Sequence, residues 1–293
     1  AAAPAHVHRD FVRRLAAQDH AASLARWTQV LAGVEEPTLV APGAPASATA
    51  FPDEHRFELG PDVTAALNRA AQQADATLSS LVQAAWGVVL NAVTGQDTVL
   101  FGTVVSGRPA DLDSVEEAVG LFLNTIPTPV ALGANPTLGE LARQVQQHNT
   151  GLLEHHHVAL TDLHRITGHN PLFDTLVVYE NYPFDDAGQG SGPADLVVTG
   201  VDIRDSTHYP LALSVLPTAD RIGFRLTSRP DLLDADTVIP IAGLLRRVLE
   251  TVAADAATRV ADVNLGGTAI TPALPAAETS ATLDSLLRDQ AVA

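Results

Sequence analysis

The sequence predicts an α/β fold, one mixed sheet covered by helices. Three observations carry that reading. Helical stretches and branched apolar runs alternate along the 293 residues. The clearest stretch with a 3.6-residue apolar period, residues 77–93, leads directly into two apolar runs of strand character. Apolar residues make up 46% of the chain, which is enough for a sizeable core.

The elements follow in order. Residues 7–16 and 21–32 read as helices, the second with Leu24, Trp27, Val30 and Leu31 at helical spacing. Residues 37–52 are rich in Pro, Ala and Ser and read as a loop. Residues 56–59 read as a short strand, and residues 61–74 as a helix with Pro61 where a missing N–H is harmless. In residues 77–93, Leu78, Leu81, Val82, Ala85, Trp86, Val89, Leu90 and Val93 form an i, i+3, i+4, i+7 stripe, and Gly95 ends it. Strands are expected at 99–105 and 120–130, then a helix at 138–153 started by the Asn135-Pro136-Thr137 turn. A strand at 172–179, a Gly/Asp loop at 185–193 and strands at 196–203, 211–216 and 221–226 follow, the last two able to pair through residues 217–220. Residues 235–253 form an amphipathic helix. From Gly266 a Pro/Thr/Ala-rich linker leads to a helix at 282–291. No internal repeat is visible.

Composition excludes several chemistries. There is no Cys, so disulfides, thiolate nucleophiles and Cys-ligated zinc are ruled out. Every Lys/Arg position is Arg, which removes Schiff-base and P-loop lysine chemistry. The net charge of −17 disfavours nucleic acid and anionic membranes. No apolar run of spanning length occurs, the start AAAPAHVHRD lacks a signal-peptide layout, and the chain holds no Met, so a piece of a longer cytoplasmic protein is expected.

Residues 98–130 carry the most information. Both apolar runs read as strands buried on two faces, yet Asn124 and Thr125 interrupt the second. Burying such a pair unpaired costs roughly 1–3 kcal/mol, so Asn124 either ties two strands together or faces a cavity where a substrate satisfies it. Arg108 has Asp111 and Asp113 nearby as local ion-pair partners. The triplet His155-His156-His157 invites a metal reading, but neighbours on a helix point about 100° apart and cannot converge on one ion. A solvated helix end, with cations at the negative dipole terminus, is the expectation there.

The run "VSGRP", an acidic segment and then "VGLFLNT" resembles the condensation domains of nonribosomal peptide synthetases. Further motifs fall in the family's order. HRDFVRRLAAQDH at 8–20 is similar to its Y-x-D-Y-A-x-W stretch through His8, Asp10 and Phe11. The His155–His157 region resembles an H-x-x-x-P-L helix start, with Ala159-Leu160 in place of Pro-Leu. ITGHNPLFDTLVVYEN at 166–181, continuing through Tyr182-Pro183, resembles NPLFDTLVVFENYP. Tyr209-Pro210-Leu211 resembles the YPL strand, and LDSLLRDQAVA at 283–293 the first helix before an adenylation domain. The family's catalytic His-His-x-x-x-Asp-Gly is absent. Counted from His156-His157, its Asp and Gly positions hold Thr161 and Asp162; counted from His155-His156, they hold Leu160 and Thr161.

The resemblance implies a chloramphenicol-acetyltransferase-like two-layer sandwich and an acyltransferase that joins a carrier-bound acyl donor to a carrier-bound aminoacyl acceptor. It implies that residues 1–265 are the C-terminal, acceptor-side subdomain and residues 266–293 the lead into adenylation. The missing motif then lies upstream, its second His positioning or deprotonating the amine. This chain would supply the other wall, with Asn124 and Ser106 at the substrate tunnel and Arg108 and Asp111 in a bridging crossover. No catalytic residue and no metal ligand is assigned to it. The implied partners are the N-terminal half, donor and acceptor peptidyl carrier proteins and an adenylation domain, in a pathway to an antibiotic or siderophore. The 4'-phosphopantetheine arm arrives on the carriers, so no cofactor is bound by this chain. Two other readings stay open: a carrier-docking module without catalysis, and half of an epimerization domain. The GLFLNTIP sequence and the adenylation-like tail argue against the second.

Overall fold

The computed structural model describes residues 6–44, 51–108, 112, 114–115, 117–180 and 207–266. At its centre lies the helix with the clearest apolar stripe, Leu78–Thr94. Thr77 caps it, its side chain accepting from Ser80 N, and Gly95 ends it in the left-handed region at φ 74°. Twelve of its residues are buried, Trp86 and Val89 at 0% exposure, so it is enclosed on nearly all sides rather than amphipathic.

Seven helices and six strands are found among the described residues. In chain order they are α1 (Val7–Ala16), α2 (His20–Leu31), β1 (Asp53–Leu59), α3 (Pro61–Gln73), α4 (Leu78–Thr94), β2 (Thr98–Ser106) and β3 (Leu123–Ala131). Then come α5 (Leu138–Gly151), α6 (Leu160–Thr167), β4 (Thr175–Tyr179), β5 (Leu211–Pro217), β6 (Ile222–Ser228) and α7 (Ala235–Ala254). The strands form one sheet in the order β1-β6-β5-β4-β2-β3. The β2–β4 and β4–β5 pairs are parallel and the rest antiparallel, the mixed sheet expected of an α/β fold.

The sheet is covered on both faces. On one, α3, α4, α5 and α7 pack Leu67, Trp86, Leu141 and Leu245 onto Phe101, Val177, Leu213 and Phe224. On the other, Trp27 and Leu31 of α2 and Leu163 of α6 close over Leu100, Ile126, Leu176 and Phe173. A third, small cluster joins Val7 and Phe11 of α1 to Val115, Ala118 and Phe122 of the segment between β2 and β3. No single described helix is long and apolar enough to cross a membrane.

The structure shifts several expectations. The run at 120–130 becomes a strand only from Leu123, and β3 is an edge strand rather than one buried on both faces. Its prolines explain how it tolerates that place. Gly107 N donates to Phe122 O and Leu132 N to Asp97 O, each at 2.7 Å. With the register Gly102↔Pro127 and Leu100↔Pro129, this puts Pro127 and Pro129 at the positions whose N–H would point away from β2. Two donors are thereby removed from the free edge, which discourages pairing with another strand. Strand β1 is longer than residues 56–59 because all seven of its residues pair with β6. The helix expected at 138–153 stops at Gly151, opens on the capping box of Thr137 and Glu140, and is followed by a 3₁₀ turn, Leu153–His155. The β5–β6 hairpin closes as expected, Thr218 N donating to Arg221 O at 2.8 Å. The loop at 185–193, the strand at 196–203, the linker beyond Gly266, the helix at 282–291, and Asp111 and Asp113 lie outside the described residues.

A Cβ at Gly87 in α4 would come within 2.7 Å of Val130 Cγ1. Gly87→Ala is therefore expected to destabilise the chain by about 1–3 kcal/mol in urea titration, despite the roughly 1 kcal/mol by which Ala favours a helix over Gly. Adding Val130→Ala should return part of that loss.

Candidate functional site

The residues singled out from sequence gather where β2 ends and β3 begins. Ser106 is the last residue of β2 and is exposed, its Oγ 3.4 Å from Arg108 N. Arg108 lies over the Phe122 ring, 4.3 Å from its centroid, and its Nη2 donates to Ala118 O at 3.1 Å while Nη1 donates to Val115 O. The guanidinium thus ties the carbonyls of Val115 and Ala118 to the end of β2. Phe122 packs at a 46° tilt against Phe11, centroids 4.7 Å apart, and meets the His8 ring edge-on at 5.3 Å, so α1 props this segment.

Asn124 enters β3 half-buried and donates Nδ2 to two backbone carbonyls, His156 O at 2.6 Å and Val158 O at 3.0 Å. It ties the strand to the turn after α5, not to a second strand. Two carbonyl partners also fix which way its amide faces, because neither can accept from Oδ1. The turn is held from α2 as well. Trp27 Nε1 donates to His155 O at 3.0 Å, and Ser23 Oγ lies 2.9 Å from His155 Nδ1.

The histidine triplet corrects the solvated-helix-end expectation. All three rings are half-buried. Burial pushes His156 down to about 4, with the neighbouring His155 adding to the effect, and also lowers His157. His148, edge-on to Trp27 at 6.2 Å, is likewise pushed down to about 4, mainly by burial. His148, His156 and His157 are thereby held neutral at pH 7 and cannot act as cations at a helix terminus. Among the described residues no three His, Asp or Glu side chains come together as a metal-ligand set.

Sequence reading passed over two buried ionisable residues at the far end of the sheet, Asp174 (5% exposed) and Arg229 (2% exposed). The signal for Asp174 was a single acid inside the apolar stretch PLFDTLVV. It accepts from Val40 N at 2.8 Å and Ala41 N at 2.7 Å, and burial still pushes it up to about 6.

This end of the α/β sheet thus brings together Ser106, Arg108, Asn124 and the half-buried imidazoles of the turn after α5. The chain belongs to the condensation-domain family, whose model matches residues 2–274. It is 32% identical over 286 residues to tyrocidine synthase 2 of Brevibacillus parabrevis, covering 96% of this chain and 8% of that protein. It is 29% identical over 264 residues to surfactin synthase subunit 3 of Bacillus subtilis (strain 168), covering 89% and 21%. The chain is therefore a small part of the length of these relatives. Among solved structures, the X-domain from teicoplanin biosynthesis aligns at TM-score 0.68 and 25% identity, over 87% of this chain and 60% of that one. The first condensation domain of the calcium-dependent antibiotic synthetase aligns at TM-score 0.72 and 20% identity, over 88% and 56%, and shares the fold, the chloramphenicol-acetyltransferase-like sandwich.

Two outcomes follow from this geometry. Asn124→Ala should cost roughly 1–3 kcal/mol in urea unfolding, since the 156 and 158 carbonyls lose their donor. Asn124→Asp should cost more at pH 7, because a carboxylate would face those carbonyls with no proton to give. The second outcome concerns pH. An unfolded chain protonates His148 and His156 near pH 6.5, whereas the folded chain resists until about pH 4. Their stabilisation is complete above pH 6.5 and is lost as pH falls from 6.5 towards 4. Asp174 works the opposite way below pH 6, but it is one group against two. The thermal midpoint should drop by about 4 °C or more between pH 7 and pH 5, and His148→Gln should flatten the profile.

Proposed function

We propose that this chain is the C-terminal, acceptor-side half of a peptide-bond-forming condensation domain in a cytoplasmic nonribosomal peptide synthetase. The observation that carries the reading is a row of exposed apolar side chains beside Ser106 and Asn124. Val119 is 92% exposed, Leu121 76% and Leu123 51%, set among the buried Ala118 and Phe122. An apolar row of this kind asks for cover. Two further facts support an N-terminal half as that cover. The chain aligns to 54–60% of the solved condensation-type chains named as single domains or X-domains, and it contains no His-His-x-x-x-Asp-Gly.

In the complete domain the amine of a carrier-bound aminoacyl group attacks the thioester carbon of a carrier-bound donor. A C–N bond forms, the C–S bond breaks, and the amine proton leaves for the thiol of the donor's phosphopantetheine arm. The proton-handling His belongs to the missing half. This chain's part is to hold geometry: Asn124 locks the turn at 156–158, Arg108 locks the crossing segment, and the apolar row excludes water. Positioning of this kind can be worth roughly 7–11 kcal/mol of barrier. The residues beyond 265 would then lead to an adenylation domain, as in the longer relatives.

A second reading, a binding module without catalysis, is favoured by the 25–26% identity to the X-domain from teicoplanin biosynthesis, one of whose structures is a complex with OxyB. One experiment separates the two. The purified chain with loaded donor and acceptor carriers should make no amide. Supplying the N-terminal half that carries His-His-x-x-x-Asp-Gly should restore condensation, and Leu121→Asp should weaken that restoration. Amide formation by the chain alone refutes the half-domain assignment; binding of carriers without condensation by the reunited halves favours the second reading.

A further inference from the structure

A cavity of about 310 Å³ opens at the end of the sheet away from Ser106 and Asn124. Its position follows from the topology. Strands β2, β4 and β5 run parallel, Ser106 closes β2 at its C-terminal end, and the cavity lies where β4 and β5 begin. Asp174 and Phe173 precede β4, Tyr209 precedes β5, Arg229 follows β6, and Leu160 and His164 of α6 form the facing wall.

Asp174 and Arg229 line this cavity together. Arg229 is engaged by Asp231, Nη2 to Oδ2 at 2.7 Å and Nε to Oδ1 at 3.3 Å. Asp174 accepts only backbone N–H groups, and among the described residues no Arg or His forms an ion pair with it. A carboxylate 95% removed from solvent is costly unless a cation answers it. Burial accordingly raises its pKa in spite of its two N–H donors. The walls beside it are apolar and aromatic, with Phe173 and Tyr209 stacked at 5.8 Å and 17°. A cavity of roughly 150 Å³ takes a benzene ring, so this one has room for a ring, a short chain and a charged head.

We propose that this cavity binds a small organic ammonium ion bearing an aromatic or apolar group, its head against Asp174 and its body on Tyr209. The wide net-negative charge of the chain enriches such cations locally. This site is separate from the condensation wall and does not depend on the half-domain assignment.

The test uses 2-phenylethylamine and its neutral isostere 2-phenylethanol, titrated into the 293-residue chain by calorimetry and followed by NMR. The amine should bind one to one and at least about tenfold more tightly than the alcohol. Asp174→Asn should remove that preference. Because Asp174 also holds residues 40 and 41, His164→Trp serves as a second variant that narrows the cavity from the α6 wall. It should weaken the amine about tenfold while leaving the thermal midpoint unchanged. Equal binding of amine and alcohol, no saturable binding of the amine, or amine binding that survives both variants overturns the proposal.

Discussion

The parallel trio β2–β4–β5 sets the terms for the rest of this structure. Parallel strands leave both faces of a sheet in need of apolar cover. Here that cover comes from different parts of the chain, α3, α4, α5 and α7 on one side and α2 with α6 on the other. Each layer has consequences at the sheet's two ends. The turn leading from α5 to α6 must pass the mouth of β3, where Asn124 meets it. The lead from α2 towards β1 must pass the start of β4, where Asp174 meets it through residues 40 and 41. Both polar side chains tie backbone that would otherwise be left unpaired, one at each end of the sheet.

Hydrogen-bond accounting also explains why so many histidines sit in one region without forming a metal site. His155 is committed to Ser23 through its ring and to Trp27 through its carbonyl. The His156 carbonyl serves Asn124, and the His157 ring lies 3.1 Å from Glu154 O. The His156 ring, like that of His148, stays neutral and fills space around α2 and the turn. Desolvation enforces this, and the same desolvation makes the region sensitive to acid.

The edge strand β3 limits how the apolar row at residues 119–123 is covered. With Pro127 and Pro129 occupying outward positions, a partner cannot easily extend the sheet there by main-chain bonds. Cover has to come through side chains, laid over Val119, Leu121 and Leu123. The second half-domain proposed above would meet that requirement.

Much of the fold was legible in the sequence because it rests on local rules. The stripe of α4, the Asn135-Pro136-Thr137 turn before α5, Pro61 at a helix start and Gly95 at a helix end each act within a few residues, and each element formed close to where those signals fall. The β5–β6 hairpin was legible for the same reason. Tertiary structure alone decided the partners of Asn124, which lie 32 and 34 residues away, and the edge position of β3. It also decided the neutrality of His156 and the isolation of the Asp174 charge, since desolvation depends on what packs around a group and not on its neighbours in the chain.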